Sequence, residues 1–157
     1  VNAFATSVFF AVDRFASFRK DWQEFYENGG IIIADRYVTS NLVHQAGKIS
    51  DAAEKERYIQ WLSDLEYNIF GLPKPDRVIF LDMPPAYSLK LRQQRNELKQ
   101  GLTADIHEAD QTYLQNAYKN AIGIAKHQEW HTISCVADDK IRTIEDIHAE
   151  IVRTIND

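Results

Sequence analysis

A pair of short, unbroken apolar runs limits the fold more than any other feature of the chain. Ile31, Ile32, Ile33 and Ala34 end on Asp35, and Val78, Ile79, Phe80 and Leu81 end on Asp82. Neither run alternates, so each reads as a strand buried on both faces, as strands of a parallel sheet are. A third strand is expected at 131–136, from His131 through Cys135 to Val136. Between these runs the apolar spacing is helical. Over 3–28, Phe4, Val8, Ala11, Val12, Phe15, Phe18, Trp22, Phe25 and Tyr26 step by three and four, giving one wide buried face. Asn28, Gly29 and Gly30 stop that helix. Residues 35–48 are polar and mixed. Residues 51–70 put Tyr58, Trp61, Leu62, Leu65 and Ile69 on one face. Pro84 and Pro85 break the second strand and open a helix that carries Leu89, Arg92 and Arg95 into a polar stretch, 96–103. A helix over 106–128 follows, and Thr143 with Asp146 caps a last one along Ile144, Ile147, Ile151, Val152 and Ile155. This alternation predicts an α/β domain, a three-layer α/β/α arrangement in which helices cover both faces of a parallel sheet. Ligands of such sheets bind beyond the carboxyl ends of the strands.

Composition narrows the function. The chain has 157 residues, a net charge of −5 and one cysteine, and 45% of it is hydrophobic. That is one ordinary globular domain, too apolar for disorder. An acidic balance argues against a nucleic-acid partner. A lone Cys135 makes no internal disulfide, which points to a reducing, cytoplasmic setting. No apolar run approaches the ~18 residues of a membrane span. The chain opens Val1, Asn2, Ala3 without methionine, so it is expected to start after the biological first residue.

Several residues have two open readings. Asp35 and Arg36 either close a strand or form a Walker-B-type pair, the carboxylate holding Mg²⁺ through water and the guanidinium clamping a phosphate. Phe10 and Arg14, four apart on one helix face, are core and solvated edge, or a ring to stack on a base and a fork to bond its carbonyl. Arg92 and Arg95 are a solvated face or a neutraliser of transferring phosphate. The five histidines show no metal-ligand spacing, and Cys135 reads as core. No Gly-x-x-x-x-Gly-Lys-[Ser/Thr] loop occurs in the chain.

Taken together these pieces resemble the thymidylate kinase family. The resemblance rests on Phe9 to Phe15, with Phe10 and Arg14; on Ala34, Asp35, Arg36, Tyr37, Ser40 and Asn41; and on Leu72, Pro73, Lys74, Pro75 and Asp76. It continues through Val78 to Pro84, Ala104 to Glu108, and Ile141 to Ile147. It implies a P-loop NTPase fold of the nucleoside monophosphate kinase type and transfer of the ATP γ-phosphoryl group to dTMP, giving dTDP. By resemblance, Phe10 stacks on thymine, Arg14 bonds a thymine carbonyl, and Asn41 lies beside the base. His44 and Gln45 line the base and deoxyribose pocket, His44 standing where relatives carry an aromatic residue. Arg36 holds the dTMP phosphate and Asp35 sits near Mg²⁺. Arg92 and Arg95 lead into a lid region at about 92–108, and Ala137, Asp138 and Lys140 touch the adenine of ATP. Relatives commonly form homodimers.

The resemblance also sets an expectation of incompleteness. The family's first strand, P-loop, following helix and second strand precede the equivalent of Val1, and the P-loop strand, central in the family's sheet, goes with them. The 157 residues are therefore expected to be an N-terminally truncated domain, inactive alone, with the missing segment supplied separately or by another chain. Two rival functions remain: a related deoxynucleoside or nucleoside monophosphate kinase, and a non-catalytic remnant that binds dTMP.

Overall fold

A computed structural model of the chain describes residues 2–98 and 111–156, without the side chains of 95–98 and 111. The polar stretch 96–103 with Lys99, the 104–108 block and the Arg95 side chain lie wholly or largely outside the described residues. The chain divides into two compact units, Val1–Lys74 and Pro75–Asp157.

In the first unit, helix α1 (Ala3–Ser17) begins at Asn2, whose Oδ1 accepts the Phe4 N–H at 2.8 Å. It runs through a wide π turn, Phe18–Trp22, into α2 (Gln23–Glu27). The buried face of α1 is narrower than its apolar spacing suggests. Ala3, Ser7 and Ala11 are buried, whereas Val8, Phe9, Phe10 and Val12 are exposed. Small residues at i, i+4 and i+8 let the Tyr58 ring approach the helix, with its hydroxyl 2.6 Å from Ser7 Oγ. Beyond α2, Gly29 takes φ +84°, and a Cβ on Gly30 would fall 2.2 Å from the Phe25 ring, so the expected glycine stop is built as read.

The expected strand at 31–34 is corrected. These residues form no ladder among the described residues, and Ile31 and Ile33 are 82% and 86% exposed. β-Branched residues favour a pleated surface only when a neighbouring strand supplies hydrogen bonds and a face to pack on. Without one, the segment passes directly into the turn at Asp35 and Arg36.

The polar segment that follows holds helix α3 (Val38–His44) and a 3₁₀ turn, Ala46–Lys48. Val38, Leu42 and Ala46 bury one side, and Asn41 and Gln45 are buried with them. Helix α4 (Ala52–Ser63) starts at Asp51, which accepts the Glu54 N–H at 2.7 Å. A second π turn, Asp64–Ile69, extends it, and the Phe70 N–H reaches five residues back to Leu65 O at 2.9 Å. The wide turn rotates the buried stripe. Tyr58, Leu62 and Glu66 are fully buried, while Ile69, expected on that stripe, is 67% exposed.

The second unit holds the parallel pair. Strand β1 (Ile79–Asp82) runs beside β2 (His131–Ser134), with Ile79 opposite His131 and Asp82 opposite Ser134. Helices α5 (Pro85–Leu98) and α6 (Gln111–His127) lie between them in sequence, as a parallel pair requires. Tyr118 on α6 donates to Asp82 Oδ1 at 2.7 Å, tying the helix to the carboxyl end of β1. Strands β3 (Val136–Ala137) and β4 (Lys140–Ile141) form an antiparallel hairpin. Asp138 and Asp139 at its tip have φ +49° and +58°, the left-handed pair a two-residue hairpin needs and Asp tolerates. Cys135 is buried, as read. Of the three parallel strands expected, two pair among the described residues, and the α/β reading holds in that coarser form.

The last helix, α7 (Ile144–Asn156), has the forward half of the expected cap: Thr143 Oγ1 accepts the Asp146 N–H at 3.1 Å. Thr143→Ala is expected to cost about 1 kcal/mol in urea unfolding. No change would mean that the cap contributes nothing in this exposed setting. Among the described residues, no helix is long and apolar enough to cross a membrane.

Candidate functional site

The chemistry of the first unit gathers around one buried carboxylate. Glu66, carried inward by the second π turn, is wholly buried, and its Oε2 lies 3.2 Å from Arg14 Nε on α1, a side chain 14% exposed. The pair meets as charges rather than as an aligned hydrogen bond, since neither atom has a directed partner. Glu66 Oε1 accepts from Asn41 Nδ2 on α3 at 3.4 Å. One acid thus holds a residue from each of two other helices. Burial pushes the Glu66 carboxyl up from its ordinary 4.5, and the Arg14 guanidinium, then the Asn41 amide, pull it back.

The Arg14 fork is fixed further. Its Nη1 donates to Phe10 O at 3.0 Å and its Nη2 to Tyr37 O at 3.3 Å. The guanidinium carbon stands 5.5 Å from the centre of the Tyr37 ring, within cation–π range. Tyr37 in turn donates to Pro73 O at 3.0 Å, and burial foremost raises its phenol well above the ordinary value. Tyr58 braces Asn41 from below: its hydroxyl lies 3.4 Å from Asn41 O, and burial lifts it to about 12, so it remains protonated.

Arg14 and Asn41, named from sequence, are therefore brought together. Phe10 lies one turn from Arg14, half-exposed, with its carbonyl under the fork. Arg36 is exposed at φ +71°, a conformation rare for a long side chain, and its Nε donates to Ser40 Oγ at 3.1 Å. That bond uses one of five N–H groups. Such backbone strain concentrates at functional positions. Gln45 is buried and accepts from Lys48 Nζ at 2.9 Å, and His44 ends α3 half-buried beside it. Asp35 is exposed in the turn before Arg36. No cluster of three His, Cys, Asp or Glu suited to a metal occurs among the described residues. A single open carboxylate beside an arginine fits a Mg²⁺ held through water and nucleotide phosphates better than a protein cage.

The remaining candidates belong to the second unit. Arg92 is half-buried on α5, and Ala137, Asp138 and Lys140 are exposed on the β3–β4 hairpin. Glu66 is the residue that sequence reasoning missed. Its signal was present: Tyr58, Leu62 and Glu66 fall at i, i+4 and i+8, so the acid sits on the apolar stripe itself.

A family model described as thymidylate kinase matches residues 1–151. Among curated proteins, the chain is 24% identical over 118 residues to a probable thymidylate kinase of Pyrobaculum aerophilum, covering 74% of this chain and 56% of that one. It is 32% identical over 95 residues to a probable thymidylate kinase of Staphylothermus marinus, covering 60% and 43%. It is 29% identical over 153 residues to a probable thymidylate kinase of Pyrococcus horikoshii, covering 96% and 64%. The chain thus spans about half the length of the first of these relatives, somewhat less of the second and nearly two thirds of the third.

Proposed function

Because the chain belongs to the thymidylate kinase family, whose P-loop NTPase fold that membership implies, we propose that its first unit binds dTMP and that the protein passes the ATP γ-phosphoryl group to it, giving dTDP. The observation that carries this reading is the pairing of Arg14 with Asn41 through Glu66. It sets two hydrogen-bonding side chains side by side, one turn from an open aromatic ring, Phe10. A pyrimidine needs such a set: a face to stack on and polar groups along one edge.

In this proposal Phe10 stacks on the base, Arg14 bonds its carbonyl, and Asn41 completes the edge, with His44 and Gln45 beside the sugar. Arg36 clamps the acceptor phosphate and aims it, an orientation effect. The acceptor phosphate is already nucleophilic, so no general base is needed. Arg92, Arg95, Ala137, Asp138 and Lys140 serve ATP, and Asp35 serves Mg²⁺ through water, where the ion would help neutralise phosphate charge. The proposal includes a homodimer, with the exposed Val8, Phe9 and Val12 of α1 as its candidate face, since the Tyr58 stripe of α4 is spent on the core.

Arg36→Ala is expected to weaken dTMP binding roughly 10- to 150-fold in calorimetry, the 1.5–3 kcal/mol of a hydrogen bond to a charged group. Thymidine, which lacks the phosphate, should bind the variant as it binds the parent. An equal loss for both ligands would remove Arg36 from the phosphate. Binding of dTMP with no turnover in the presence of ATP would favour the non-catalytic module instead.

A further inference from the structure

We propose that Glu66 is a positioning residue that fixes which way the Asn41 amide faces, and so makes the Arg14–Asn41 pair select a keto pyrimidine over an amino pyrimidine. The inference rests on the reading of this site as a pyrimidine nucleotide pocket. It adds a residue and a cause of selectivity that the pocket reading alone does not supply.

An ionised carboxylate only accepts hydrogen bonds. Glu66 Oε1 faces Asn41 at 3.4 Å, so the amide must turn its NH₂ group toward the acid. Its carbonyl oxygen is then the end of the amide that accepts. Arg14 only donates. Its Nε is buried against Glu66, one Nη1 hydrogen is committed to Phe10 O and one Nη2 hydrogen to Tyr37 O. Of five N–H groups, one on each terminal nitrogen is left for a ligand. The pair therefore offers a donor from Arg14 beside an acceptor from Asn41.

Thymine and uracil present the complement, a C4 carbonyl that accepts next to an N3–H that donates. Cytosine presents the reverse, a C4 amino group that donates next to a bare N3 that accepts. With the amide held by Glu66, cytosine meets donor against donor and acceptor against acceptor. A free Asn41 would turn over and relieve half of that conflict. The preference thus depends on an acid that never touches the nucleotide.

Glu66→Gln removes the constraint, because a glutamine amide either donates or accepts and permits both orientations of Asn41. The test is calorimetry of dTMP and dCMP on the 157-residue chain at pH 7.5, for the parent, Glu66→Gln and Glu66→Asp. The ratio of dTMP to dCMP affinity should fall at least tenfold in Glu66→Gln. Glu66→Asp keeps an acceptor-only group, so its ratio should stay within about threefold of the parent even where both affinities drop. Equal loss of both nucleotides in Glu66→Gln, with the ratio intact, would overturn the proposal and leave Glu66 purely structural. If Glu66→Gln does not fold, a collapse of the ratio in Glu66→Asp would overturn it equally. A parent chain that binds neither nucleotide would instead sink the pyrimidine-pocket reading, a different failure.

Discussion

Arg14→Leu should cost the protein its dTMP binding and about 3–5 kcal/mol of stability at neutral pH, the penalty for leaving a buried charge without its partner. Few domains exceed about 5–15 kcal/mol in total, so the variant would stand near the edge of folding. The loss should depend on pH with a defined sign. Burial already raises the Glu66 carboxyl above 4.5, and Arg14 is the main influence lowering it. Without Arg14 it rises further. A carboxyl raised in the folded state binds its proton more tightly there than in the unfolded chain, so stability falls as pH rises and recovers as pH falls toward about 4.5. Urea unfolding at pH 5 and pH 8 should show the gap between variant and parent narrowing at the lower value. A gap that ignores pH would mean that Glu66 is not the charge left stranded.

Tyr58→Ala should be comparably damaging for a different reason. The ring is fully buried, 5.2 Å from the Phe4 ring at 86° and 5.9 Å from that of Trp61. Its hydroxyl reaches Ser7 on α1 and the Asn41 carbonyl on α3, so one side chain binds three helices. Truncating a large aromatic in a core costs about 3–5 kcal/mol. Tyr58→Phe separates packing from bonding. It keeps the ring and should lose only about 1 kcal/mol, because the Ser7 hydroxyl still has Ala3 O at 2.8 Å. If Tyr58→Phe were as harmful as Tyr58→Ala, the hydroxyl rather than the ring would be the anchor.

Much of this was legible in the sequence where local chemistry decides. The Thr143 cap, the glycine stop after α2, Pro85 at the head of α5 and a strand read at 78–81 and found at 79–82 all depend on short-range rules. Residues 31–34 fail because a strand is a property of a pair. Three isoleucines cannot say whether a neighbour lies beside them. Helix α3 escaped notice because its buried set mixes Val38 and Leu42 with Asn41 and Gln45, which blurs an apolar period. Glu66 was lost to the opposite habit, in which any acid on a helix is assigned to water. Arg14 and Asn41 were named, but nothing in their own spacing tells that they share a partner 25 residues or more away in the chain.

The π turn at Asp64–Ile69 has a consequence for anyone who edits this helix. A turn of that width is what an α-helix becomes when it accommodates one surplus residue. Trimming the surplus position would let the spiral return to its usual pitch with later side chains kept on their faces, whereas trimming a position in the regular part of α4 would swing every side chain beyond the cut by about 100°. The second edit would turn Glu66 away from both of its companions. The irregularity is thus where this helix tolerates a change of length, and the regular stretch ahead of it is where it does not.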